Sequence, residues 1–240
     1  MPKPGWGAVV QGDPADLDDW AYALKQKFDP WVEMHGNLTV LRSASFDELT
    51  SADQVRDRAV ASIARLNGAL ALSEQTRPVR FDGVIQFAPD GQLHRSAFAE
   101  IVGVEARGKA RAVADAVVIG PDGTVVPPPP PQPSEVQRWA AMAENDDVLD
   151  DALIYFGMAT DWFDIYKALE CLILKFGGGK ESAFFALGWA SETEILRLKR
   201  TANLARHAKG RFDPLDNPMP LQDARELLGQ LLRRALRAHP

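Results

Sequence analysis

Apolar and polar positions divide the chain into two stretches with different periods. In the first, short runs of strand length alternate with helical patterns. Residues 7–11 read as a strand, and Asp13-Pro14 then supply an N-cap and a first-turn proline for a helix to about residue 28. Runs at 31–34 and 38–42 flank His35-Gly36-Asn37, a hairpin signal. Ser51 and Gln54 are spaced as a capping box before a helix through Val55, Ala59, Ile63 and Leu66. Val79, Phe81, Ile85 and Phe87 alternate at period two and predict a strand that ends at Pro89-Asp90-Gly91. Strands are also predicted over about 95–105 and over 113–119, the latter stopped by Pro121-Asp122-Gly123. Three consecutive runs joined by turn residues predict an antiparallel meander with two helices on one face, an α+β domain.

From residue 134 the period is helical throughout. Ser134 caps a helix through Trp139 and Met142, and a second begins near Asp147 and runs through Leu149, Leu153 and Phe156. A third begins at Thr160-Asp161. Its Trp162, Ile165, Tyr166, Leu169, Leu172, Ile173 and Phe176 share one face, and Gly177-Gly178-Gly179 ends it. Ser191 and Glu194 form a capping box before a helix through Ile195, Leu198, Ala202 and Ala205, and Leu221, Ala224, Leu228, Leu231, Leu232 and Ala235 mark the last one. This is the pattern of an all-α helical bundle. Between the stretches, the prolines at 127–131 and Pro133 lack backbone donors and predict a polyproline II linker, whose other reading is a ligand for SH3 or WW domains. The expected organisation is an α+β domain over 1–126, a linker over 127–133 and a helical bundle over 134–240. Each half carries its own apolar pattern, so each is expected to fold independently.

Of the 240 residues, 46% are hydrophobic and 25% charged, which excludes wholesale disorder, collagen and coiled-coil readings. Cys171, the single cysteine, sits in an apolar helical run and reads as a buried thiol rather than a nucleophile. The N-terminal residues have no secretory pattern and no run of about 18 apolar residues occurs, so the expectation is a soluble, cytoplasmic chain without a membrane partner. A net charge of −6 argues against blanket attraction to nucleic acid and leaves room for a local basic site. Residues 134–194 carry 4 basic and 12 acidic side chains, whereas 195–240 carry 10 basic and 4 acidic. Arg197, Lys199, Arg200, Arg206, Lys209 and Arg211 concentrate positive charge on one helix and its exit, a surface suited to an RNA backbone. The alternative is that this helix packs beside the acidic helix of Asp146, Asp147, Asp150 and Asp151 and neutralises it.

Gly179-Lys180 is followed by Glu181 and preceded by a helix, so it is not a phosphate-binding P-loop. His35, His94, His207 and His239 are scattered and no cluster has metal-ligand spacing, so neither a metal nor a cofactor is expected. On a helical wheel Arg200, Asn203 and His207 fall within about 60° of one another. Arginine offers a permanent forked donor, histidine a proton acceptor that titrates near neutrality, and asparagine a group to orient the imidazole. The same residues also read as a helix end, with His207 and Lys209 complementing the C-terminal dipole and Arg206 paired with a carboxylate such as Glu170.

Residues 134–240 resemble the HEPN superfamily. The resemblance lies in the acidic early helix, the aromatic-rich stretch from Asp161 through Trp162, Tyr166 and Glu170, the helix with Asn203 and His207, and the Leu-rich last helix. HEPN ribonucleases carry an arginine, often followed by a polar residue, with a histidine after about four to six intervening positions. Here Ala202 precedes Asn203, so Arg200 serves at the longest spacing. The resemblance implies a metal-independent endoribonuclease of the toxin–antitoxin or anti-phage type that cuts RNA by 2′-hydroxyl attack. Arg200, Asn203 and His207 would be catalytic, Tyr166 and Glu170 supporting. It also implies a homodimer through the helical half and an antitoxin or regulatory protein as partner. The family's non-catalytic RNA- or protein-binding members give the alternative.

Overall fold

β1 (Gly5–Gln11) runs through the middle of a five-stranded antiparallel sheet. On one side lies the hairpin of β2 (Trp31–His35) and β3 (Leu38–Arg42), on the other that of β4 (Arg80–Phe87) and β5 (Leu93–Ser96), giving the order β2-β3-β1-β4-β5. The computed structural model describes residues 4–25, 28–98, 130–207 and 215–238. The expected strand at 113–119, most of 95–105, linker residues 127–129, and Lys209 and Arg211 lie outside them. The sheet carries α1 (Pro14–Ala23), the short α2 (Ala44–Asp47) and α3 (Ala52–Glu74). β3 and β4 both run antiparallel to β1 and are therefore parallel to each other, which requires the crossover that α3 supplies.

Local chemistry sets most boundaries. Asp13 accepts the Ala15 amide at 2.9 Å and Pro14 opens α1. That helix stops at Ala23, short of the predicted residue 28. The chain beyond it is fixed by another donor, since Gln137 Nε2 lies 2.9–3.1 Å from the carbonyl oxygens of Lys25, Phe28 and Pro30. Gly36 turns the β2–β3 hairpin at φ +62°, as a two-residue loop with glycine first demands. Only half of the expected capping box forms at α3: Ser51 accepts the Gln54 amide at 3.4 Å, while the Gln54 carboxamide turns to Thr50.

The period-two reading of β4 needs correction. Its pairing with β1 shifts register between Ala8 and Val10, opposite Gly83 at φ +126°. The shift puts Phe81 and Val84 on the helix-covered face with Ala8, Val10, Val32 and Leu41, and moves Ile85 and Phe87 to the opposite face with Val9 and Val40. A single extra residue thus divides four residues that alternation alone assigns to one face.

The helical half contains α4 (Glu135–Glu144), α5 (Asp147–Met158), α6 (Trp162–Gly177), the short α7 (Glu181–Phe185), α8 (Glu192–Arg206) and α9 (Leu221–Ala238). Ser134 with Gln137, and Ser191 with Glu194, make complete capping boxes, Asp161 caps α6, and Gly178 closes it at φ +58°. No helix among the described residues is long and apolar enough to cross a membrane.

The halves share one core, contrary to the expectation of independent folding. Residues 66–72 of α3 are buried without a break, because one side of the helix meets the sheet and the other meets α5. Gly68 and Gly157 let these helices touch backbone to backbone: a Cβ on Gly68 would sit 2.1 Å from the Leu153 carbonyl oxygen, and one on Gly157 2.7 Å from the Gly68 nitrogen. Arg65 extends the seam with a forked bond to Asp150 at 2.7 and 3.1 Å. Those bonds and the Glu144 charge hold its guanidinium above the ordinary value although burial acts the other way.

Inside this core, Asn67 donates to the Val79 carbonyl and accepts the Val79 amide, each at 2.9 Å. Asn67→Ala leaves both backbone groups buried without a partner. The expected loss is about 2 kcal/mol of unfolding free energy, seen as a lower urea midpoint. An unchanged midpoint contradicts this role.

Candidate functional site

The last two turns of α8 gather the candidate residues. Its N-terminus is fixed by the Ser191–Glu194 box, whose hydrogen bonds hold the Glu194 carboxyl below its ordinary range. Ile195, Leu198 and Ala202 are buried on its inner side. Thr201 donates to the Arg197 carbonyl at 2.9 Å and accepts the Met219 amide at 3.0 Å, which ties α8 to the segment before α9.

The expected basic surface is only partly available. Arg197 directs Nε and Nη2 at the Asn217 and Pro218 carbonyls and the Asn217 side chain, at 2.8–3.1 Å. Lys199 is ion-paired with Glu181. The Arg197 fork is thus oriented by neutral oxygens that leave its charge in place, whereas the Lys199 charge is met by Glu181. Arg200 is exposed and makes no ion pair among the described residues. The acidic start of α5 is served by Arg65 and by an ion pair between Lys175 and Asp146, and among the described residues none of the ion pairs joins it to a cation of α8.

Arg206 is the best-defined side chain of the site. Its guanidinium lies 3.5 Å from the centre of the Tyr166 ring, and Nη2 donates to Asn203 Oδ1 at 2.9 Å. Nε is shielded from water without a hydrogen-bond partner among the described residues. The expected pairing of Arg206 with Glu170 does not form, because Glu170 binds Lys167 at 2.9 Å. That bond raises the Lys167 pKa, while the nearby Arg206 charge opposes the rise.

His207 caps α8 in an extended conformation (φ −108°, ψ 162°), its amide bonded to the Asn203 carbonyl at 3.2 Å. The helix therefore ends one residue before the end of the predicted polar stripe. Asn203 Oδ1 accepts from Arg206, so only its Nδ2 is left for the imidazole. Arg200 and His207 remain on one side of the helix, their Cα atoms about 10 Å apart along its axis at 1.5 Å per residue.

Beside this helix end, Tyr155, Tyr166, Lys167, Glu170, Cys171 and Lys199 line a groove of about 460 Å³. Burial, with the negative charges of Asp151 and Glu170, pushes the Cys171 thiol up to about 11. It stays protonated at neutral pH and is no nucleophile. A second polar cluster lies on the sheet. Glu33 accepts from Trp31 Nε1 at 2.7 Å, sits 2.9 Å from His35 Nε2 and 3.7 Å from Arg42 Nη1. Burial raises its pKa, but these neighbours outweigh burial and hold the carboxyl below its ordinary range. The signal for it was the alternation of Trp31, Glu33 and His35 along β2, which places all three on one face.

No family model, curated protein or solved structure matches this chain.

Proposed function

We propose that the end of α8 binds RNA and cuts it by attack of the 2′-hydroxyl on the adjacent phosphate. Arg200 and Arg206 supply charge and His207 the general base. One observation carries the reading: two arginines without a carboxylate partner among the described residues precede a histidine in the last two turns of one helix. An anion is the missing counter-charge, and a phosphodiester brings one to each nucleotide. Asn203 positions the Arg206 fork before a phosphate arrives. The proposal places the chain among HEPN-like ribonucleases of toxin–antitoxin or anti-phage systems, acting as a homodimer under an antitoxin or regulatory protein. The engagement of Asn203 by Arg206 favours the second reading, a module that binds RNA without cutting it.

Both readings require binding, which fluorescence anisotropy with a single-stranded RNA measures directly. Arg200→Ala and Arg206→Ala should each weaken affinity about threefold to tenfold and lower the salt dependence by about 0.7 in slope, the share of one phosphate contact on a single strand. Arg58→Ala, an exposed position on α3, should change nothing. If the two α8 variants bind as wild type does, RNA does not bind here.

A further inference from the structure

A cleft of about 400 Å³ opens between the end of α3 and α9, lined by Gln75, Thr76, Gln222, Arg225, Gln230 and Arg233. Two of these residues are cations, each held by backbone carbonyls. Arg225 donates from Nη1 to the Phe156 and Ala159 carbonyls at 3.0 and 2.7 Å, with its guanidinium 4.6 Å from the Phe156 ring centre. Arg233 donates to the Leu72 carbonyl. These are the last carbonyls of α5 and α3, so each arginine also completes a helix end.

Such bonds fix the guanidinium groups without neutralising them. Neither arginine makes an ion pair among the described residues, and burial without a compensating carboxylate lowers the Arg225 pKa. The carboxylate on the cleft wall, Glu226, accepts from Gln222 at 2.8 Å. In a chain of net charge −6, two uncompensated cations share one concave surface with three carboxamides and a hydroxyl.

We propose that this cleft binds a small, hydrophilic phosphate ester of the sugar-phosphate class. Guanidinium forks match phosphate oxygens, carboxamides match hydroxyl groups, and the volume suits a ligand of that size. Phe156, already covered by Arg225, Ala71 and Gly229 are the apolar lining, so a nucleobase finds no open stacking platform. The site is separate from the end of α8 and does not rest on the RNA reading.

Titration calorimetry on the full chain tests this with fructose 1,6-bisphosphate, AMP and citrate. The bisphosphate should bind at micromolar concentration and raise the melting temperature, with AMP and citrate about tenfold weaker or worse. Arg233→Gln should weaken the bisphosphate about tenfold. Arg233 also supports α3, so Glu226→Gln is the decisive variant: it removes the opposing charge at an exposed position and should tighten binding about threefold. Arg206→Ala should leave this affinity unchanged. Absence of heat at millimolar bisphosphate overturns the proposal, as does an affinity indifferent to Glu226→Gln. Tighter binding of AMP or citrate overturns the ligand class.

Discussion

The Gly68→Val variant is expected to lose about 3 kcal/mol of stability or more, lowering the melting temperature by about 6–12 °C for a chain of this size. The cause is contact between main chains. Its Cβ would lie 2.1 Å from the Leu153 carbonyl oxygen and 2.6 Å from the carbonyl carbon, neither of which can turn aside as a side chain does. α3 and α5 must move apart, and the close packing of both layers on α3 goes with them. Gly229→Ala gives the contrast. There the nearest atom is a Phe156 ring carbon at 3.4 Å, so the gain in helix propensity of about 1 kcal/mol should survive in part. Equal melting temperatures for wild type and Gly68→Val would show that the helices do not cross at this point.

The second large effect concerns catalysis. Wild-type protein incubated with total RNA is expected to cut it in the presence of EDTA, leaving 2′,3′-cyclic phosphate ends and sparing DNA, which lacks the attacking hydroxyl. His207→Ala should slow cleavage by about 10²–10⁴-fold, the usual contribution of a general base, with circular dichroism unchanged. Arg206→Ala should lower both binding and cutting, since the fork proposed to meet the phosphate is the one stacked on Tyr166. Binding without cleavage in wild type identifies the non-catalytic module. Cleavage undiminished in His207→Ala places the chemistry at other residues.

Helix starts were legible because caps are local. Asp13, Ser134, Asp161 and Ser191 each accept an amide two or three residues ahead, a relation that short spacing in the sequence already contains. The seam between the halves was not legible. Gly68 and Gly157 are unremarkable singly, and only their meeting explains why residues 66–72 are buried on all sides. The β4 register failed for a related reason: the irregularity at Gly83 is absorbed by pairing with β1, which alternation along one strand does not contain. At the candidate site, periodicity placed Arg200 and Asn203 on one stripe. Arg206 was read toward Glu170 because the wheel gives direction and not partner, whereas Tyr166 and Lys167 on α6 decide what each group meets.

Arg206 gives the end of α8 a dynamic character as well as a charge. The side chain proposed to meet a phosphate is also the clamp of the last helical turn, reaching back to Asn203 and across to α6. A phosphate that draws the fork away from Asn203 releases a hydrogen bond worth about 1 kcal/mol and leaves the turn held by the amide bond from His207 to the Asn203 carbonyl. On the proposed reading occupancy and order therefore compete: the occupied helix end should fray more readily than the empty one, and amide exchange at His207 should speed up as the site fills.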